Sequence, residues 1–394
     1  MKKVLIIGAG FLQRFVIRRA KELGYYTLTV DADPQAVGFA DADEYRVISI
    51  VDEEACLAYA HEKQVDGVLT AATDYGVLTV AHIAEEMGLN GISYAAAKRI
   101  KNKFQIRRRL FEAGADDTPL ACEIGSDEDI AQARDRVAFP VMVKPCDGSG
   151  SRGASRVDDP SDFAAACRNA MANSLTRKAT VEPFIVGEEY GVESFVRDGE
   201  VHILAVMKKA MTQPPYYAEL GHKVPSELPA ELESKVRRCV TVAIQALELT
   251  FGSVNMDLLL TADGQVHIVD IGARMGGNLI GSHIVPLSSG VDYMANMVRA
   301  AAGDATDFTP HESLTPVATR LLALTPGTVV SLPNFEALAA EYNVVIEHHL
   351  CVGDTIREYH TNLDGCGYVV ATGVNAEATA ETVKNRIDRE IVRN

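Results

Sequence analysis

Three kinds of segment are missing from this sequence of 394 residues. No apolar run approaches the ~20 residues that a membrane-spanning helix needs, so we expect no membrane partner. No two cysteines have CxxC spacing, because the seven are scattered at positions 56, 122, 146, 167, 239, 351 and 366. Scattered thiols argue against a zinc site and are typical of a reducing cytoplasm, which is the location we expect. No low-complexity segment or internal repeat is visible.

An excess of positive charge is also missing. The formal net charge is −16, and the acidic residues are spread along the chain, which argues against nucleic acid as a partner. The start, Met1-Lys2-Lys3 followed by an apolar run, imitates a signal peptide. Gly8-Ala9-Gly10 ends that run early, so a buried first strand is the better interpretation.

The pattern of the chain predicts a multidomain protein of mixed α/β and α+β class. A hydrophobic fraction of 47% with 23% charged residues is ordinary for a globular protein, and the length suits two or three domains. Residues 1–100 alternate strand and helix signals, including a strand at Arg46–Ile50, which predicts a Rossmann-like parallel sheet. Residues 101–305, beginning with a basic helix over Lys98–Leu110, indicate an α+β domain. Residues 306–394 indicate a small, mostly β lobe.

The first glycine turn leaves a dinucleotide site as an alternative. Gly8 and Gly10 follow a strand, and Asp31 ends the next strand, as in NAD- or FAD-binding domains. Gln13 stands where the third glycine would be. Two glycines at a strand-to-helix turn are common in doubly wound domains, so a structural turn, or a strand end offered to a substrate, is the favoured interpretation.

The strongest local signal is the segment from Phe139 to Gly153, FPVMVKPCDGSGSRG. An apolar strand delivers Lys144, and a loop of small residues follows before a second strand. Glycines let backbone N–H groups approach phosphate oxygens closely, and the lysine adds positive charge. No Gly-Lys-Ser/Thr opens a helix, so this is not a Walker loop. The alternative is a glycine-rich hairpin with a surface lysine.

Two further segments carry acidic residues in patterned positions. In Thr180–Tyr190, an extended segment could bind adenine through its main chain, and Glu189 lies seven residues after Glu182. In Asn255–Asn278, Asp257 and Asp270 interrupt apolar strands on either side of a Thr-Ala-Asp-Gly turn. Paired carboxylates suit Mg²⁺, and Arg274 could hold an oxyanion or phosphate. Solvated acidic side chains on ordinary strands are the alternative for both segments.

These three segments, in this order and spacing, resemble the ATP-grasp superfamily, and within it the carboxylate–amine ligases whose last strand reads acidic-x-x-x-Arg-x-Gly-Gly. The match covers residues from about 100 to 290, with a lid subdomain at about 115–190. Residues 1–100 resemble the pre-ATP-grasp domain, and residues 306–394 the small C-terminal lobe. The resemblance implies ATP and Mg²⁺, with Mn²⁺ as a substitute, small-molecule carboxylate and amine substrates, and a homodimer.

The resemblance also implies roles for individual residues. Lys103 and Lys144 match phosphate lysines, Glu189 the ribose carboxylate, and Arg274 the arginine that steadies the tetrahedral intermediate. Asp257 and Asp270 match the metal carboxylates. The remaining nucleotide positions are the lid loop, the adenine hinge and the residue under the adenine: Gly148, Ser149, Gly150, Ser151, Gly153, Glu182, Phe184, Ile185 and Leu259.

One departure concerns the second metal ion. The family often has Glu-x-Asn where this sequence has Asp270-Ile-Gly272, and a glycine offers no side-chain ligand. Water, Asn255 or Asn278 would have to complete the coordination shell.

The acceptor pocket is expected around the segment QPPYYAELGHKVP, residues 213–225. It resembles a loop of amino-acid and dipeptide ligases, in which Glu219 would hold an ammonium group and His222 would take its proton. Lys209 is an additional candidate for the γ-phosphate. The alternative is a proline-rich connector.

The expected activity is therefore an ATP-dependent carboxylate–amine ligase that forms an amide through an acyl phosphate. A carboxylase that phosphorylates bicarbonate is the enzymatic alternative. A catalytically silent nucleotide-binding regulator is the other alternative, and Asp257, Asp270 and Arg274 together argue against it.

Overall fold

The computed structural model describes residues 1–147, 153–213 and 217–394. Its N-terminal part is a parallel sheet in the order β3-β2-β1-β4, with helices packed on it. The apolar side chains of β1 are fully buried, as expected for a strand covered on both faces. The elements are β1 (Lys3–Ile7), α1 (Gln13–Glu22), β2 (Tyr26–Asp31), β3 (Glu44–Val47), α2 (Glu53–Lys63), β4 (Gly67–Thr70) and α3 (Val77–Met87).

Two elements predicted within the first 110 residues have the wrong bounds. The strand predicted at Arg46–Ile50 lies instead at Glu44–Val47, because pairing with β2 runs from Leu28 opposite Glu44 to Asp31 opposite Val47. The helix predicted over Lys98–Leu110 is two helices, α4 (Tyr94–Ile100) and α5 (Lys103–Glu112). The break occurs at Asn102, whose side chain accepts the N–H of Gln105 at 2.9 Å and caps α5.

A small antiparallel sheet in the order β5-β8-β6-β7 follows and carries the predicted lid region. Its helices α6 and α7 pack on one face, around the fully buried Phe163. The elements are β5 (Cys122–Ile124), α6 (Asp127–Arg134), β6 (Val141–Pro145), β7 (Ser155–Val157), α7 (Phe163–Ala172) and β8 (Ala179–Pro183).

The central sheet has eight strands in the order β13-β12-β9-β10-β11-β14-β18-β16. Its elements before residue 305 are β9 (Glu188–Arg197), β10 (Glu200–Met211), β11 (Glu219–Val224), α8 (Ala230–Ala246), β12 (Gly252–Leu260), β13 (Val266–Gly272), α9 (Val285–Ser289) and α10 (Tyr293–Ala301). The later elements are β14 (Val317–Leu321), β15 (Gly327–Ser331), α11 (Phe335–Tyr342), β16 (Val345–His348), β17 (Thr355–Ile356), β18 (Gly367–Thr372), α12 (Ala376–Glu390) and β19 (Val392–Arg393).

The central sheet continues into the C-terminal part of the chain, because β11 pairs with β14. A second, three-stranded sheet there has the order β17-β15-β19. The mixed α/β and α+β architecture confirms the predicted fold class, while the division at residues 100 and 305 stays a prediction. None of the described helices is both long and apolar enough to cross a membrane.

Candidate active site

A cleft lies over the middle of β12, the last residues of β13 and the residues that follow β6. The loop between β4 and α3 and the start of α5 form its opposite wall. Its charged and polar lining residues are Asp74, Lys101, Lys103, Asp147, Asn255, Asp257, Asp270 and Arg274. The three charged residues predicted for the segment Asn255–Asn278, which are Asp257, Asp270 and Arg274, are therefore brought together in one cleft.

Strand alternation explains which residues of β12 reach the cleft. Met256 and Leu258 are buried in the core below the sheet. Asp257 and Leu259 lie on the other face, because successive side chains of a strand point to opposite sides. Asp257 is directly opposite Asp270 in the register of β12 and β13, and Leu259 is opposite Glu189 in β9.

The two carboxylates predicted to bind metal are each paired with a lysine. Lys103 Nζ lies 2.5 Å from Asp270 Oδ1, and Lys209 Nζ lies 2.9 Å from Asp257 Oδ1. Each lysine contacts one oxygen of its aspartate, and both aspartate side chains are partly exposed. Two adjacent carboxylates suit Mg²⁺, which takes its remaining oxygen ligands from water and phosphate. The donor set therefore fits one Mg²⁺ ion.

The two asparagines considered as further metal ligands are engaged by protein groups. The Oδ1 of Asn255 accepts Arg274 Nη1 at 3.4 Å, and the Oδ1 of Asn278 accepts the hydroxyl of Tyr368 at 3.0 Å. The side-chain oxygen is the atom that would coordinate Mg²⁺, and in each asparagine one of its two lone pairs is already used by a protein donor.

Lys144 is held by a buried carboxylate on the neighbouring strand. Its Nζ donates to Glu182 Oε2 at 3.0 Å, and Arg107 Nε lies 3.7 Å from Glu182 Oε1. Burial acts to raise the pKa of Glu182, but Lys144 and Arg107 outweigh it, so the pKa is lowered and the carboxylate stays charged. Arg107 was missed in the sequence because its α5 looks like an exposed basic helix.

The segment predicted as the adenine hinge links the lid sheet to the central sheet. Phe184 N–H donates to Pro140 O at 3.0 Å, and the guanidinium of Arg156 lies 4.2 Å above the Phe184 ring. The N–H of Ile185 has no protein acceptor among residues 1–147, 153–213 and 217–394. An extended segment with an uncommitted N–H suits main-chain recognition of a base.

Lys209 lies among three carboxylates. Besides Asp257, its Nζ lies 3.2 Å from Glu219 Oε2 and 3.5 Å from Glu189 Oε2. Burial acts to lower the pKa of Lys209, but these carboxylates outweigh it and hold the pKa well above its ordinary value. Burial raises the pKa of Glu189 above its ordinary value despite Lys209. Lys209 thus connects the predicted ribose, metal and acceptor positions.

Glu219 and His222 form a buried pair on β11. His222 Nε2 lies 3.2 Å from Glu219 Oε1, and Asn278 Nδ2 donates to the same oxygen. Burial lowers the pKa of His222 although Glu219 acts to raise it, which favours a neutral ring near pH 7. Its Nδ1 has no hydrogen-bond partner in the described part of the chain. The hydroxyl of Tyr359 donates to the backbone oxygen of Glu219.

Arg274 is held by a residue that the sequence did not single out. Its Nε and Nη2 donate to the two oxygens of Asp74 at 3.0 and 3.1 Å. The same loop pairs with the chain after β13, since Ala72 N–H donates to Met275 O at 3.1 Å. Burial acts to lower the pKa of Arg274, but Asp74 outweighs it and the pKa is raised, so the guanidinium is charged.

Part of the predicted phosphate loop lies outside the described residues, namely Gly148, Ser149, Gly150 and Ser151. Gly153, the last of that set, is described and has a φ of +71°. A Cβ there would lie 2.7 Å from the Cβ of Asn173, so the position suits only glycine.

Comparisons with known proteins give two family matches along the chain. Residues 137–282 match the model described as ATP-grasp domain, and residues 320–391 match the L-amino acid ligase C-terminal domain 2. The first match contains Lys144, Glu182, Glu189, Asp257 and Asp270. The second contains Tyr359, the tyrosine that contacts Glu219.

Two curated proteins and one solved structure are also similar to this chain. A formate-dependent phosphoribosylglycinamide formyltransferase of Prochlorococcus marinus is 29% identical over 190 residues, which are 48% of this chain and 47% of that protein. A biotin carboxylase of Pseudomonas aeruginosa is 23% identical, covering 100% of this chain and 91% of that protein. The crystal structure of an L-amino acid ligase from Bacillus licheniformis superposes with a TM-score of 0.85 at 21% identity, covering 100% of this chain and 99% of that one.

Proposed function

We propose, because this chain belongs to the ATP-grasp superfamily, that it is an ATP-dependent ligase joining a carboxylate to an amine through an acyl phosphate. The products would be an amide, ADP and phosphate. We propose an amino acid as the carboxylate, since the C-terminal part matches a domain of L-amino acid ligases.

The observation that carries the proposal is the set of three lysine–carboxylate pairs around the cleft. Lys103 pairs with Asp270, Lys209 with Asp257, and Lys144 with Glu182. When a magnesium nucleotide binds, Asp257 and Asp270 would hold Mg²⁺, and their partners Lys103 and Lys209 would turn to the phosphates. Asp257, Asp270 and their two lysines each exchange one partner for another. Glu182 keeps Arg107 at 3.7 Å when Lys144 turns to a phosphate, so no buried charge is left unpaired.

The nucleotide would lie along the face of β12 from Leu259 to Asp257. The adenine would rest at Leu259 and meet the main chain at Phe184 and Ile185. Glu189, directly opposite Leu259, would accept the ribose hydroxyls. The loop from Gly148 to Gly153 would cover the phosphates and exclude water, which would otherwise hydrolyse the acyl phosphate.

The chemistry would take two steps. A carboxylate oxygen of the substrate attacks the γ-phosphorus of ATP, and ADP leaves. The amine then attacks the acyl carbon, Arg274 stabilises the oxyanion of the tetrahedral intermediate, and phosphate leaves with the carboxylate oxygen. Bound Mg²⁺ would neutralise charge on the transferring phosphoryl group.

The acceptor side would be the buried pair of Glu219 and His222. Burial acts to raise the pKa of Glu219, but the charge of Lys209 and the hydrogen bond from Asn278 act to lower it, and the pKa lies below its ordinary value, so Glu219 is charged. A carboxylate there suits an ammonium group. The neutral His222 has an uncommitted Nδ1 that could accept the proton released on amide formation.

An ADP-release screen tests the proposal. Purified protein with Mg²⁺ and ATP is offered each amino acid, alone and with a second amine, and bicarbonate is included as a separate carboxylate. We expect ADP release that requires an amino acid and Mg²⁺. Stimulation by bicarbonate alone would favour the carboxylase alternative. Production of AMP, or no stimulation across the panel, would overturn the ligase proposal.

Three finer proposals accompany this function. We propose that Mn²⁺ can substitute for Mg²⁺ at this site, because the same oxygen ligands bind both ions. We propose a homodimer, to be measured by light scattering during size-exclusion chromatography. We propose a cytoplasmic location, which the seven free cysteines support.

A further inference from the structure

Glu193 is a fully buried carboxylate beside the cleft. It lies in the middle of β9, directly opposite Asn255 on β12. Its exposed fraction is 0%, and no lysine or arginine forms an ion pair with it in the described part of the chain. An isolated buried carboxylate is costly unless several hydrogen bonds compensate it.

Four hydrogen bonds reach this carboxylate. Asn255 Nδ2 donates to Oε2 at 2.9 Å, and the hydroxyl of Tyr293 donates to Oε1 at 2.6 Å. The backbone N–H of Gly276 lies 3.2 Å from both oxygens. A Cβ on residue 276 would come within 2.9 Å of Glu193 Oε2, so the glycine is what lets the backbone approach.

One branch of this network leads to Arg274. The amide of Asn255 uses its nitrogen for Glu193 and its oxygen for Arg274 Nη1, at 2.9 and 3.4 Å. Glu193 therefore decides which way the amide points. A rotated amide would present a nitrogen to the guanidinium and lose that contact.

The other branch leads to Glu219. The turn that begins at Gly276 continues through Gly277 to Asn278, which has a φ of +52° and donates to Glu219. Asn278 is 7% exposed, so this contact is made in the interior. The N–H of Gly276 bound to Glu193 fixes the start of the turn.

We propose that Glu193 is a positioning residue for the acyl-transfer step, which orients Arg274 through Asn255 and Glu219 through the turn from Gly276 to Asn278. The inference rests on the proposed function, since Arg274 and Glu219 are the groups that would act on the acyl phosphate and the amine. The nucleotide contacts of Lys103, Lys144 and Glu189 do not pass through Glu193. Substitution of Glu193 should therefore lower the rate of acyl transfer and leave nucleotide affinity unchanged.

The experiment compares Glu193→Gln with Glu193→Asp and the control Ser194→Ala. Ser194 is the next residue of the strand, fully buried, and its Oγ has no partner among the described residues. Nucleotide Kd, kcat for amide formation, and backbone hydrogen exchange are measured on each folded variant. The two peptides of interest cover residues 272–279 and, as an internal control, 141–145.

We expect Glu193→Gln to lower kcat by about 10- to 100-fold, the effect of displacing catalytic groups by about 1 Å, with nucleotide Kd unchanged within about twofold. Hydrogen exchange should rise in 272–279 and stay constant in 141–145. Glu193→Asp, whose shorter side chain keeps the charge, should recover part of kcat. Ser194→Ala should match the wild type.

Two outcomes would overturn the proposal: wild-type kcat in Glu193→Gln, or a parallel loss of kcat and nucleotide affinity in Glu193→Gln and Ser194→Ala. The exchange measurement separates this inference from the function. If the wild type forms no amide but exchange in the Glu193→Gln variant rises only in 272–279, the ligase proposal fails, while the finding that Glu193 fixes the turn from Gly276 to Asn278 stands. Unchanged exchange in 272–279 contradicts the positioning role whatever the activity.

Discussion

The buried carboxyl of Glu193 should give the protein a measurable dependence of stability on pH. Burial raises the pKa of Glu193 from its ordinary value of 4.5 to about 7, although Tyr293, Asn255 and Gly276 act to lower it. The folded state therefore binds this proton more tightly than the unfolded state. The contribution to stability is fully present below pH 4.5 and is lost as pH rises through 7.

The rise in the pKa of Glu193 corresponds to about 3 kcal/mol of unfolding free energy across that interval. Glu193→Gln cannot ionise, so its stability should lack this slope. Urea unfolding of the wild type and the variant, followed by circular dichroism from pH 5 to 8, gives the difference between them. We expect the free energy of unfolding of the wild type, relative to that of Glu193→Gln, to fall by about 3 kcal/mol as the pH rises to 8. A difference that stays constant with pH would refute the reasoning.

Three further variants test separate parts of the site. Asp270→Asn should abolish turnover dependent on Mg²⁺, measured as ADP release, and an unaffected rate would show that the metal site lies elsewhere. Arg274→Ala should lower kcat by about 10²- to 10³-fold with little change in nucleotide Kd, as expected for loss of an oxyanion donor; the reverse result would reassign Arg274 to nucleotide binding. Gly276→Ala places a Cβ 2.7 Å from Ile280 Cδ1 and 2.8 Å from Asn255 Nδ2. This substitution should lower the free energy of unfolding, measured with urea, by about 1–3 kcal/mol, and an unchanged free energy would contradict the close packing described.

The part of the site that the sequence predicted depends on short-range regularities. A strand alternates its side chains, and the turn Thr261–Gly264 fixes the register of β12 and β13. Asp257 and Asp270 were therefore predictable as neighbours, and their register confirms the hairpin. The lysine at the end of β6 was predictable for the same reason, because an apolar strand delivers it to a loop.

The parts that were missed depend on contacts between distant segments. Asp74 binds Arg274, which is 200 residues later in the chain. No local sequence pattern in either segment predicts this contact. Glu193 had a visible signal, since it is an acidic residue within the apolar run of β9, like Asp257 in β12. The helix break at Asn102 also had a signal in the sequence, because asparagine is a common N-cap residue.

The central claim is that a carboxylate is activated as an acyl phosphate at the expense of ATP. The most direct measurement uses the stimulating carboxylate labelled with oxygen-18 in its carboxyl group, with the released phosphate analysed by mass spectrometry. Because one carboxyl oxygen is transferred to phosphorus in the first step, we predict one labelled oxygen in each phosphate formed with the amide. Unlabelled phosphate, or label recovered in AMP, would contradict the account.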